Sequence, residues 1–217
     1  MSEPFDTDQE PPAGAVTAWS LPAHQARSRE TRDRLLAAAE RVFDEKGFFG
    51  ARMVDIAKAA DCSIGAAYAR FKDKDALFGG IVEAFCAESS NRIANVTGLA
   101  QTVDPVFVLR RFIAGTAAQF QTHRGMFRAI MERGFESPTS IAPLIAMRGR
   151  MESLLTEVLR KALPTARDPL LTARVVVQMV FGFLIGPLVN PMSPVSGDEP
   201  RAISELETAV LKYLDLA

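Results

Sequence analysis

Apolar residues along this chain recur at the spacing of a single helix face, segment after segment. Leu35, Leu36, Ala39, Val42 and Phe43 form the first such stripe and predict a helix from about Arg29 to Lys46. Gly47 follows as its left-handed cap. Met53, Ile56, Ala57 and Ala60 give a second, short helix one apolar side. Asp61 interrupts it, a short polar residue able to take left-handed backbone, and Ser63 is placed to N-cap a third helix from Ile64 to Arg70. Leu77, Phe78, Ile81, Val82 and Phe85 face inward from a helix spanning about Asp75 to Val96. Asp104-Pro105 and Asp168-Pro169 each join a cap to a proline at the first helical position, opening helices that run to about Thr122 and Val189. Further helices are expected over His123–Phe135, Pro138–Leu163 and Pro200–Leu214. Strand alternation is absent, so the expected fold class is all-α with about nine helices.

Composition narrows the class of protein. The 217 residues are 48% hydrophobic and 24% charged with a net charge of −1, ordinary for a globular protein and unlike a sequence-blind nucleic-acid coat protein. Charge is unevenly placed. The first 23 residues carry acids and prolines with no Lys or Arg, and residues 1–24 read as a disordered tail. They lack the basic start and apolar run of a signal peptide. Arg27, Arg29, Arg32 and Arg34 then cluster, and read as a basic arm for phosphate or the minor groove. Cys62 and Cys86 lack metal-ligand spacing, so no metal site is expected and a reducing, cytoplasmic setting fits. The apolar run Val175–Val189 is broken by Gln178, Gly182, Gly186 and Pro187 and is short for a membrane span, so no membrane partner is expected. His24 and His123 are the only histidines, and no nucleophile–base set accompanies them. The chain reads as a non-enzyme without a cofactor.

Two short helices joined by a tight bend, the second ending in Tyr68 and Arg70, form a helix-turn-helix. With L-L-A-A-A-E-R-V-F-D-E-K-G-F upstream (Leu35 to Phe48) and F-K-D-K-D-A-L-F downstream (Phe71 to Phe78), the segment resembles the DNA-binding domain of TetR-family transcriptional regulators. Arg52, Asp61, Cys62, Ala67 and Arg70 depart from that family's usual residues. The resemblance implies a three-helix DNA-binding domain over residues 25–73 and a helical ligand-binding and dimerisation domain over 74–217. It implies a homodimer on a palindromic double-stranded operator, most often as a repressor. It places Ile64, Gly65, Ala66, Tyr68 and Ala69 at the groove. Arg27, Arg29, Arg52, Ser63, Arg70, Lys72 and Lys74 complete the expected DNA-contacting set, with Lys74 on a phosphate. An all-helical interaction protein that has lost operator binding is the alternative.

The second half has no strong signature of its own. The resemblance implies an effector pocket among the middle helices. Phe107, Phe120, Met126, Phe127, Met131, Met147 and Met151 suit an adaptable apolar lining, with Arg110, Arg111, His123 and Gln178 as polar contacts. The expected effector is small and hydrophobic or aromatic, with Arg110 or Arg111 able to hold one anionic group. Val176, Val180, Phe183, Val189, Leu206, Val210 and Leu214 are candidates for the dimer seam, or else for an intramolecular core.

Overall fold

The computed structural model describes residues 20–99, 102–133, 138–164, 167–190, 192–195 and 199–216, and among these every regular element is an α-helix. They are α1 (Ser20–Gly50), α2 (Met53–Ala59), α3 (Ile64–Tyr68), α4 (Lys74–Leu99), α5 (Pro105–Thr122), α6 (Arg124–Arg133), α7 (Pro138–Ala162), α8 (Pro169–Val189) and α9 (Pro200–Tyr213). The expected caps are in place. Ser63 accepts from the Ala66 N–H at 3.1 Å, Asp104 from Val106, and Asp168 from Leu171. Each satisfies a donor that the first helical turn leaves unpaired.

The bend between α2 and α3 shows how a non-glycine residue ends a helix. Asp61 sits at φ 51. The Cys62 N–H reaches back to the Ala57 carbonyl and the Asp61 N–H to that of Lys58, the paired bonds of a Schellman cap. Gly47 also has a positive φ of 71, but its ψ of 170 kinks α1 instead of ending it. A Cβ there meets the Glu132 carboxylate at 2.5 Å.

The start of α1 differs from the reading of the sequence. The helix begins at Ser20 and not near Arg29, so residues 20–24 are helical and not part of a disordered tail. Residues 1–19 lie outside the described residues. The stripe Leu35, Leu36, Ala39, Val42 and Phe43 is buried, as are Met53, Ile56, Ala57 and Ala60 of the helix-turn-helix. Phe43, Phe48 and Phe78 interlock at ring separations of 5.4 to 6.5 Å, tying α4 to α1. Farther along, α4 packs against α7. A single helix thus belongs to both halves, and one continuous core runs through them.

The tightest joint is between α1 and α6. A Cβ on Gly125 lies 1.8 Å from the Glu40 carbonyl, so only glycine lets the two backbones meet there. Polar bonds surround this contact. His123 meets the Glu40 carboxylate at 3.0 Å, Arg124 pairs with Asp44 at 3.1 Å, and the Phe48 N–H donates to Glu132 at 2.6 Å.

Candidate functional site

The recognition surface follows from which sides of α2 and α3 the core consumes. Ala67 is fully buried, which turns Ile64 and Tyr68 outward at 41% and 51% exposure. Gly65 and Ala69 share their exposed side, and Ala66 is half-buried. This is the face expected for Ile64, Gly65, Ala66, Tyr68 and Ala69. Ser63 is exposed and acts as the cap. Arg29 is exposed on α1, Lys72 is largely free of the surface, and Arg52 projects outward at the start of α2. Arg52 makes no capping bond. It pairs with Asp55 at 3.2 Å, and Lys46 reaches the same carboxylate at 3.3 Å. The hydrogen bond from Arg52 holds the Asp55 carboxyl below its ordinary range.

Two of the residues expected at DNA also bond within the fold. Lys74 donates to the Phe48 carbonyl at 2.6 Å and the Ala51 carbonyl at 2.8 Å, and lies 4.4 Å from the centre of the Phe48 ring. Burial pushes its ammonium down from the ordinary lysine value. Lys74 therefore also ties the kinked end of α1 to the start of α4. Arg70 likewise folds back, donating to the Ala66 carbonyl at 3.1 Å and the Ser28 carbonyl at 3.4 Å. It anchors the recognition helix to α1.

The basic arm changes too. Arg27 lies on the α1 helix, its side chain outside the described residues, and Arg29, Arg32 and Arg34 are on the same helix. The arm expected for phosphate or the minor groove is therefore helical from Ser20 onward. Residues missed in the sequence are Val54 and Lys58. Both lie off the buried stripe of α2, are exposed, and border a shallow groove with Ile64. Their position opposite Met53, Ile56 and Ala57 was the available signal.

A second feature lies in the helical body. A half-open cavity of about 450 Å³ is lined by residues of α4, α5, α6, α7 and α8. Of the residues expected to line it, Phe120, Phe127, Met147 and Met151 do so. Phe120 and Phe127 stack at 3.8 Å, nearly parallel. The others stand elsewhere. Met126 is fully buried in the core and Met131 is half-buried away from the cavity. Phe107 is 53% exposed. Arg110 pairs with Glu207 of α9 at 3.2 Å. Gln178 is exposed and accepts from Arg148, and His123 is held by Glu40 at the α1–α6 joint. Phe85, Arg92, Phe112 and Phe181 were missed as lining, whereas Arg111 does border the cavity.

The outer face of α8 is the third feature. This 21-residue helix is longer than the apolar stretch read from sequence, and its length and composition suffice to cross a membrane. One side packs inward through Ala173, Val176, Val177, Val180 and Leu184. Val176 and Val180, with Leu206, Val210 and Leu214, thus form an intramolecular core and not a seam between chains. Leu171, Val175, Gln178, Gly182, Gly186 and Val189 follow one another at helical spacing on the outer side.

A helix-turn-helix with an outward recognition helix, mounted on a helical body that encloses an apolar cavity, defines a DNA-binding protein of the helix-turn-helix class. Residues 35–81 match the bacterial regulatory proteins of the tetR family. The HTH-type transcriptional regulator UidR of Escherichia coli (strain K12) is 24% identical over 165 residues, which cover 74% of this chain and 83% of UidR. YerO of Bacillus subtilis (strain 168), an uncharacterized HTH-type transcriptional regulator, is 30% identical over 95 residues, 44% of this chain and only a third (33%) of YerO's length. In fold, the chain resembles a crystal structure from Mesorhizobium loti assigned to the TetR-family regulators. The TM-score is 0.66 at 24% identity, over 87% of this chain and 96% of that one. Residues 35–81 thus carry a DNA-binding domain of the tetR family, and the chain as a whole is similar to HTH-type transcriptional regulators and shares the TetR-family fold.

Proposed function

We propose that the protein is a cytoplasmic homodimer that binds a palindromic operator as a repressor, and that a small, largely apolar effector in the α4–α8 cavity releases it. The observation that carries this reading is the short physical path from cavity to reading head. Phe85 and Phe127 line the cavity with ring centres 5.5 Å apart. Phe85 meets the His123 ring edge-on at 5.1 Å, and His123 holds Glu40 of α1. Gly125, two residues on, rests on the backbone of that same Glu40. A ligand that moves α6 must therefore move α1 and the helices it carries, because backbones in contact cannot slide independently.

The outer face of α8 supports the dimer. Its apolar window has mean hydropathy 1.7, yet only 28% of it is buried within the chain. Gly182 and Gly186 on this face leave room for a second helix to approach closely. Two-fold pairing there gives two recognition helices for two half-sites.

The experiment is a double titration. Operator affinity is measured against effector concentration, and effector affinity against operator. Both must weaken by one common factor, because coupling between binding sites is reciprocal. A compound that binds the cavity and raises Tm while leaving operator affinity unchanged contradicts the release mechanism.

A further inference from the structure

The cavity taken above as the effector site is chemically lopsided. Its α6 end is aromatic, with Phe85 and the stacked Phe120 and Phe127. Arg92 of α4 and Arg111 of α5 also line it, and no Asp or Glu does. Arg92 already donates to Gln119 and pairs with Glu88 at 3.4 Å. Arg111 has neither an ion-pair nor a hydrogen-bond partner among the described residues.

We infer that the site takes an amphipathic monoanion, with a carboxylate-type head on Arg111 and a hydrocarbon or aryl-alkyl tail reaching the Phe120–Phe127 stack. This rests on the reading of the cavity as the effector site. The charge argument is direct. Two guanidinium groups beside an apolar wall repel a cationic ligand. A neutral ligand that covers Arg111 strips water from it without replacing the lost hydrogen bonds. A carboxylate restores them as a two-pronged, charge-assisted pair.

The length argument is independent of charge. From Arg111 to Phe120, α5 advances about 13 Å at the usual helical rise. The cavity volume of about 450 Å³, at about 30 Å³ per water-sized group, has room for roughly fifteen heavy atoms. Both fit an unbranched acid of medium chain length or an aryl-alkanoate of similar reach. Bound in this orientation, the tail presses on Phe127 of α6, the helix fixed to α1.

The test is calorimetric titration of the full chain with decanoate, 1-decanol and decylamine, each below its aggregation concentration. Decanoate is expected to bind at least about tenfold more tightly than decanol, with decylamine weakest. Arg111→Gln is expected to remove the preference for decanoate over decanol, and Arg111→Lys to keep part of it. Arg111 is exposed, so these variants are expected to fold. Equal affinity for decanoate and decanol, or an Arg111→Gln chain that still prefers decanoate, overturns the anion reading and leaves the cavity reading intact. Met151→Trp, which narrows the cavity, separates the two: decanoate and decanol binding both undiminished in this variant overturns both.

Discussion

Lys74 shows how one side chain can be read two ways. In sequence it is a lysine at the start of a helix beside the recognition element, the position of a phosphate contact. In the fold its ammonium satisfies the carbonyls of Phe48 and Ala51 and lies against the Phe48 ring. Replacing it leaves those two acceptors without their partner. Lys74→Ala is therefore expected to lower the unfolding free energy by roughly 1–2 kcal/mol with no DNA present. Urea denaturation of the free protein checks this, and an unchanged midpoint returns Lys74 to a purely DNA-facing role. The residues at the bend behaved differently because their logic is local. Asp61 and Ser63 were readable as a helix stop and a helix start, since each acts on backbone within a few residues of itself. The Ala51 and Phe48 carbonyls that Lys74 reaches, and the Ser28 carbonyl that Arg70 reaches, lie 23 to 42 residues away in sequence, and nothing in the spacing announces them.

Among the elements, α6 and α7 carry contacts that no periodicity reveals. Gly125 has an ordinary place on a short helix until Glu40 of α1 is laid across it. Gly125→Ala forces the two helices apart and is expected to cost about 1–3 kcal/mol. It is also expected to weaken the link between effector and operator. Thermal unfolding together with the reciprocal titration measures both, and full stability with undiminished coupling contradicts the joint.

On α7, Glu152 bridges Arg148 of its own helix and Arg174 of α8 at 3.0 and 3.1 Å. Burial pushes its carboxyl up, but the hydrogen bonds from Arg174 and Arg148 outweigh this and hold it below the ordinary glutamate range. Its folded value is thus depressed. The stability it contributes is complete above the unfolded value and is lost as pH falls below about 4.3. Glu152→Gln is expected to lower Tm at neutral pH and to flatten the acid side of the stability profile. Profiles that run parallel down to strong acid count against the bridge.

The helices themselves were legible because caps and stripes are written within each segment. The cavity was legible only in part. Met126, Phe127 and Met131 sit on one helix, but each residue turns by about 100°, so Phe127 lines the cavity while Met126 is core. Which face meets which neighbour is decided by packing across segments.

In the whole molecule, α1 and α4 do the joining. The first helix carries the reading head and bears on α6, and the fourth leaves the helix-turn-helix core to wall the cavity. The cavity proposed for an effector and the recognition face therefore share rigid parts, α1 and α4. The proposed dimer adds the remaining requirement, with the outward face of α8 as the place for a second copy related by two-fold symmetry. The most direct measurement is selection of random double-stranded DNA by the purified chain, with sequencing of the bound fragments and the mass of the complex formed on them. The account predicts one enriched motif of two inverted half-sites, carrying two protomers and lost when Tyr68 and Lys72 are replaced by alanine. No enriched motif, or a motif held by a single protomer, would contradict it.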